Sequence, residues 1–333
     1  MNYIKMSPII GMSGYGGGSS ALPFTGVGTI PIVNGGDRAF TAGGADSGGN
    51  LSEIEFVTIS SPGNAADFGD LTGNKAYGSG CANATGRALF WGFVQNQPQI
   101  DYITTTSTSN ASDFGDMQNN RGLGAAASSG TRGLFFGGRG GGTGGYNSNE
   151  VDYVTIANTG NGTDFGNLTN PVEAFCGTGN ADRSLTFGGY DHDNGQTKRG
   201  NIDYFDPSST GNASDFGDMV TGGRIQSFAT ADAVRAVVAG GDRPVAGMVN
   251  EIEYVTISTT GNSTDFGDLT ESMKFSACSA NDTTAVFISG WKANGSGHDE
   301  IDYITIQTTG NAGDFGDALT DRNAAAGASS KGA

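Results

Sequence analysis

TGNSTDFGDLT, residues 260–270, is one of six variants of a single phrase, and the spacing of those variants decides the fold. The phrase reads NAADFGDL from Asn64, NASDFGDM from Asn110, NGTDFGNL from Asn161, NASDFGDM from Asn212, NSTDFGDL from Asn262 and NAGDFGDA from Asn311. Its anchoring aromatics are Phe68, Phe114, Phe165, Phe216, Phe266 and Phe315, separated by 46, 51, 51, 50 and 49 residues. A period near fifty marks an array of radially repeated sheets, each too small to bury its own faces.

Working outward, a strand signal precedes each phrase: EIEFVTI from Glu53, QIDYITT from Gln99, EVDYVTI from Glu150, NIDYFDP from Asn201, EIEYVTI from Glu251 and EIDYITI from Glu300. These runs mix β-branched and aromatic residues and carry apolar side chains on both faces, as a strand held between two neighbouring sheets requires. After each phrase comes a run of small residues, then an apolar strand ending in glycine, such as RALFWG from Arg87, RGLFFGG from Arg132, RSLTFGG from Arg183 and RAVVAGG from Arg235. Each unit therefore offers a small-residue strand a, a glycine-ended strand b, an aromatic strand c and a short strand d led by the DF phenylalanine.

At this point the chain resembles the Kelch family of β-propellers. Gly188-Gly189 stands as the doublet after strand b, Tyr204, Asp206 and Pro207 as strand c, Phe216 as the later bulky aromatic and Arg224 as the basic residue before the next strand a. Phenylalanine replaces the usual tryptophan, and the doublet is incomplete at Gly92 and Ser289-Gly290. The wording TGNxxDFGDLT is similar to repeats of tailed-bacteriophage virion proteins, marine cyanophages above all, over nearly all of residues 35–333. The resemblance implies a six-bladed all-β propeller in a virion.

The two ends of the chain predict how the ring closes. NGGDRAFTAGG from Asn34 is a strand b without a convincing strand a, and DRNAAAGASSKGA from Asp321 is a strand a without a strand b. Pairing them completes one blade and removes both exposed sheet edges. GTIPIV from Gly28 is the competing local strand a, weakened by Pro31.

Composition restricts function. Lys and Arg number 17 against 34 Asp and Glu, a net charge of −17, so phosphate backbones are repelled and no nucleic-acid partner is expected. No apolar stretch is long enough to span a bilayer, and the N-terminus is a poor signal peptide. Cys81, Cys176 and Cys278 fall in three different repeats and read as buried small hydrophobes rather than a disulfide framework. Six DFG triplets without a glycine-rich loop or catalytic loop exclude a kinase. His192 and His298 are the two histidines, too few for a histidine-rich metal centre, and no cofactor is expected. In the repeated phrase, Asn and Asp read as turn-formers bonding their own backbone; the weaker alternative is calcium held by Asn64, Asp67, Asp70 and their equivalents.

The b–c loops differ most between repeats, and antiparallel strands put all of them on one face of the disc. Tyr146, Tyr190, His192, Lys198, Arg199, Trp291 and His298 are the candidate binding residues there. Two readings stand: a recognition surface on a rigid scaffold, or drift of unconstrained loops. Residues 1–34 are rich in Gly and Ser yet carry Tyr3, Ile4, Ile9, Ile10, Phe24 and Ile32, which suggests an arm that anchors on other virion proteins. The expectation is a non-enzymatic virion component, in capsid, neck or tail appendage, binding other virion proteins and a host-surface glycan or receptor. The alternatives are a cellular Kelch-type interaction module and a carbohydrate-active propeller enzyme.

Overall fold

The computed structural model describes residues 37–83, 86–92, 98–140, 146–293 and 297–329, and the expected arm and the GTIPIV alternative lie outside them. Six antiparallel sheets form the blades of a propeller. In the order a, b, c, d, blade 1 is Ala326–Ser329, Arg38–Ala42, Glu53–Thr58 and Ala66–Asp70. Blade 2 is Ser79–Ala82, Arg87–Trp91, Gln99–Thr104 and Ser112–Asp116; blade 3 is Ala125–Ser128, Arg132–Gly140, Asn147–Thr155 and Thr163–Asn167. Blade 4 is Cys176–Gly179, Ser184–Phe187, Asn201–Phe205 and Ser214–Asp218; blade 5 is Phe228–Ala231, Arg235–Ala239, Glu251–Thr256 and Thr264–Asp268. Blade 6 is Ala277–Ala280, Thr284–Lys292, Gly297–Thr305 and Gly313–Arg322.

The ring closes as the chain ends predict. Strand a of blade 1, from the C-terminal region, pairs antiparallel with strand b, in the register Phe40 opposite Ala328 and Ala42 opposite Ala326. Arg322 then reaches into the same blade: it bonds the carboxylate of Glu55 and the carbonyl oxygens of Gly43 and Glu53, at 3.0 and 3.1 Å.

The core lies between the blades. Alternate residues of each strand face opposite neighbours, so Phe40, Ile54 and Phe68 pack on Phe90 and Ile103 of blade 2. Ala39 and Val57 instead face Val286, Ile288 and Phe315 of blade 6. All six phrase phenylalanines are buried at such interfaces, each removing enough apolar area from water to contribute roughly 2–3 kcal/mol.

The repeated phrase has a second role, at the outer rim, that differs from the local turn expected of it. Each asparagine accepts a hydrogen bond from the backbone of strand d in the preceding blade, not from its own loop. The six bonds are Asn110 to Asp70 N–H, Asn161 to Asp116, Asn212 to Asn167, Asn262 to Asp218, Asn311 to Asp268 and Asn64 to Asp317, all between 3.0 and 3.2 Å. A backbone bond runs beside each one, for example Ala111 N–H to Asp70 O at 2.7 Å and Ala65 N–H to Asp317 O at 2.7 Å. The phrase glycine must be glycine because the next blade lies against it. A Cβ on Gly217 would stand 2.4 Å from the carbonyl oxygen of Gly261, on a backbone already at φ +151°.

From strand d the chain crosses inward over the next blade, and a carboxylate buried in strand c of that blade receives it. Lys75 meets Asp101, Arg121 meets Asp152 and Arg224 meets Glu253, each at 2.7 Å, and Arg322 meets Glu55. Val172 and Met273 occupy the corresponding places before blades 4 and 6. There the carboxylate is satisfied by Thr169 on Asp203 and by Thr270 on Asp302, through both hydroxyl and backbone N–H.

Candidate functional site

Strands a stand side by side around the axis, since the inner strand of each blade packs against those of its two neighbours. They enclose a channel of about 410 Å³ whose walls are small residues such as Gly80, Ala126, Gly177, Ala229 and Gly327. Small side chains are required because the walls touch: a Cβ on Gly80 would lie 2.5 Å from Gly327 O.

At the end bearing the b–c connections, each crossover turns into strand a through one residue in the left-handed region. These are Tyr77, Leu123, Ala174, Gln226, Phe275 and Ala324, with φ between 54° and 64°. None is glycine, although the conformation costs a non-glycine residue roughly 1–2 kcal/mol. The geometry is held by a hoop of backbone bonds: Ala174 N–H to Leu123 O, Gln226 to Ala174, Phe275 to Gln226, Ala324 to Phe275 and Tyr77 to Ala324, all 2.6–2.9 Å. One link is open, because Leu123 N–H turns to Gly92 O at 3.1 Å. Five of the six, Tyr77, Leu123, Ala174, Gln226 and Phe275, form the floor and part of the wall of a mouth of about 530 Å³, while Ala324 lines the channel.

In five blades the described parts of the b–c connections are β-structure rather than loop. Blades 1, 4 and 5 extend them as two-stranded hairpins, Ala45–Asp46 with Gly49–Asn50, Tyr190–Asp191 with Thr197–Lys198, and Asp242–Arg243 with Gly247–Met248. Blades 3 and 6 lengthen strands b and c to nine residues each. The glycine doublet makes the bend. Gly188 and Gly189 have φ +69° and +112°, and Gly189 N–H bonds Arg224 O of the outgoing crossover at 3.0 Å.

Four of the sequence-selected residues gather on this end. Tyr190 and Glu173 exchange backbone bonds of 2.8 and 3.1 Å, which sets Glu173 beside the blade 4 hairpin. His192 then places Nε2 3.3 Å from Glu173 Oε1, stacked against Tyr146 at 5.2 Å and met edge-on by Tyr190 at 4.7 Å. Across the mouth, Trp291 lies 5.6 Å from the Lys274 ammonium, and Tyr77 meets Phe275 edge-on at 5.2 Å. Burial pushes the Glu173 carboxyl above the usual carboxylate range, with Arg139 and His192 opposing it.

Lys198, Arg199 and His298 are not part of the mouth lining. Lys198 ties blade 4 to blade 5 through Asp242 Oδ2 and Arg243 O, both at 3.0 Å. Arg199 pairs with the buried Asp191 within its own hairpin. His298 is 3% exposed, and burial, with Lys292 nearby, lowers its pKa. The other mouth residues, Arg139, Glu173, Gln226 and Lys274, carry no sequence signal beyond their place before strand a or after strand b.

Asn64, of the calcium alternative, has its side-chain oxygen engaged with Asp317 N–H. Among the described residues, no group of three or more His, Cys, Asp or Glu is placed to hold a metal ion. Cys81 and Cys176 are buried, with thiols pushed up to about 12 by that burial. No helix among the described residues is long and apolar enough to cross a membrane. No protein-family model matches the chain, and no curated protein matches it significantly.

Proposed function

We propose that the chain is a non-enzymatic recognition module that presents the b–c end of its propeller outward from a virion appendage, with residues 1–34 attaching it to other virion proteins. The observation that carries the reading is the set of six left-handed positions at the mouth. A purely structural turn of this geometry favours glycine. Here the same strained backbone displays six side chains around the channel, and five of them, Tyr77, Gln226 and Phe275 included, line one mouth. Strain retained at a concave surface with aromatic walls is the pattern of a binding site. The virion setting comes from the resemblance of the repeat to Kelch-type, DFGD-bearing repeats of tailed-phage proteins.

The test is competition. Excess purified chain should block adsorption of the particle that carries it, and Tyr146→Ala with Tyr190→Ala should relieve the block while leaving the melting curve unchanged. Undiminished adsorption in the presence of excess chain would refute the recognition role. Labelling of host cytoplasm rather than particles by an antibody to the propeller would favour the cellular interaction module instead.

A further inference from the structure

The mouth has two unlike walls. On one, Lys274 lies over the rings of Trp291 and Phe275, at 5.6 and 5.9 Å. Among the described residues no carboxylate pairs with Lys274, although the chain holds 34 acidic residues against 17 basic ones. A half-buried lysine left unpaired in so acidic a chain is an anion site in waiting. On the other wall, Arg139 is 53% exposed at its side chain, and among the described residues its ion-pair partner is Glu173, with Nε 3.8 Å from Oε2. That separation is too long for a hydrogen bond, so the guanidinium keeps its donors for another acceptor.

The acceptors of the mouth are also unsatisfied. Glu173 is 5% exposed, and while Oε1 faces His192, Oε2 has no hydrogen-bond partner. Gln226 Oε1 is likewise buried without one. Buried acceptors left unmade are costly, and a bound hydroxyl is the simplest group that satisfies them. The volume, about 530 Å³, falls within the span of roughly 300–1,000 Å³ usual for small-ligand sites.

We propose that this mouth binds a carboxylate-bearing saccharide, a uronic or sialic acid residue, with Lys274 holding the carboxylate, Arg139 on the facing wall donating to hydroxyl oxygens, Glu173 and Gln226 accepting from hydroxyls, and Trp291 against the apolar face of the ring. Each part of that ligand answers one feature. A neutral sugar leaves Lys274 without a counter-charge. A free phosphate answers the lysine but offers Trp291 no apolar face. An apolar ligand buries all four polar groups unpaired. The inference rests on the recognition reading and gives its ligand a chemistry.

Calorimetry on the full chain tests it with two matched pairs of probes: trigalacturonate and its methyl ester, and sialyllactose and lactose. At least one acidic probe is expected to bind tenfold or more tightly than its neutral counterpart. Lys274→Met should abolish that preference while leaving the weak affinity for the neutral partner unchanged, and Trp291→Leu should weaken both. Equal binding within both pairs, binding of neither acid, or a preference that survives Lys274→Met would overturn the proposal. Neutral sugars bound at the mouth and lost in Trp291→Leu would remove the acidic ligand yet leave recognition standing, whereas recognition itself falls by the adsorption assay alone.

Discussion

The outer rim and the channel mouth use the same six-fold repetition in opposite ways. At the rim, all six repeats spend the same asparagine on the same bond, and the same glycine lies under the same neighbouring backbone. At the mouth, six repeats share one backbone conformation and present Tyr, Leu, Ala, Gln, Phe and Ala on it. The difference follows from what each position touches. A rim glycine faces backbone atoms of the next blade, which cannot move aside, so its identity is forced. At the mouth the hoop fixes the backbone, while the side chains of Tyr77, Leu123, Gln226 and Phe275 stay partly exposed, so the conformation is forced and the identity is freer.

The largest expected effect comes from removing the piece that closes the ring at the channel. Deleting residues 320–333 takes away strand a of blade 1 and Arg322, and leaves Glu55 buried without its partner. Breaking a buried ion pair from one side costs about 3–5 kcal/mol before the lost strand is counted. Calorimetry should show a sharply lowered or absent cooperative melt, and an unchanged melting temperature would mean that the ring does not depend on this closure.

Next comes a single methyl group at each region. Gly217→Ala drives a Cβ to within 2.4 Å of Gly261 O and should destabilise by about 2–3 kcal/mol in urea unfolding. Ala174→Gly, which removes a methyl at φ 54°, relieves backbone strain while adding chain entropy to the unfolded state, and should shift stability by less than about 1 kcal/mol. Equal costs at the two sites would erase the distinction between them.

A smaller effect lies between rim and mouth, at the two crossovers without a cation. Burial raises the Asp302 carboxyl above its ordinary value of 3.8, against the opposing hydrogen bonds from Thr270. The folded chain therefore holds this proton to higher pH than the unfolded chain, and stability is lost as pH rises from 3.8 through the folded pKa, then stays level. Unfolding free energies of the wild type and Asp302→Asn, measured across that window, should converge towards the acid end and separate above it. A constant difference would show that Asp302 titrates normally.

Much of this was legible in the amino acids. Six phrases, four strands per unit and the split blade could all be read because they depend on local alternation and on period. The partners of the phrase could not. Asn262 bonds Asp218, 44 residues away, rather than its own turn, and periodicity alone does not say whether a repeated polar residue serves its own unit or the next. The strand c acids were also visible, since Glu55, Asp101, Asp152, Asp203, Glu253 and Asp302 recur at one position between apolar neighbours. An acid recurring on a buried strand announces a fixed counterpart, a signal not drawn on in the sequence reading above. At the mouth, Tyr190, His192, Tyr146 and Trp291 stood out by type, whereas Glu173, Gln226 and Lys274 gained meaning from a conformation that no residue preference reveals.

The hoop at the mouth has one missing link, between Tyr77 and Leu123, and the covalent chain has its own gap, between strands a and b of blade 1. The two interruptions are staggered, as joints are in successive courses of brickwork. A force that pries the blades apart at the first meets an unbroken polypeptide there, and at the second it meets continuous hydrogen bonding, so no radial line through the molecule crosses both weaknesses at once.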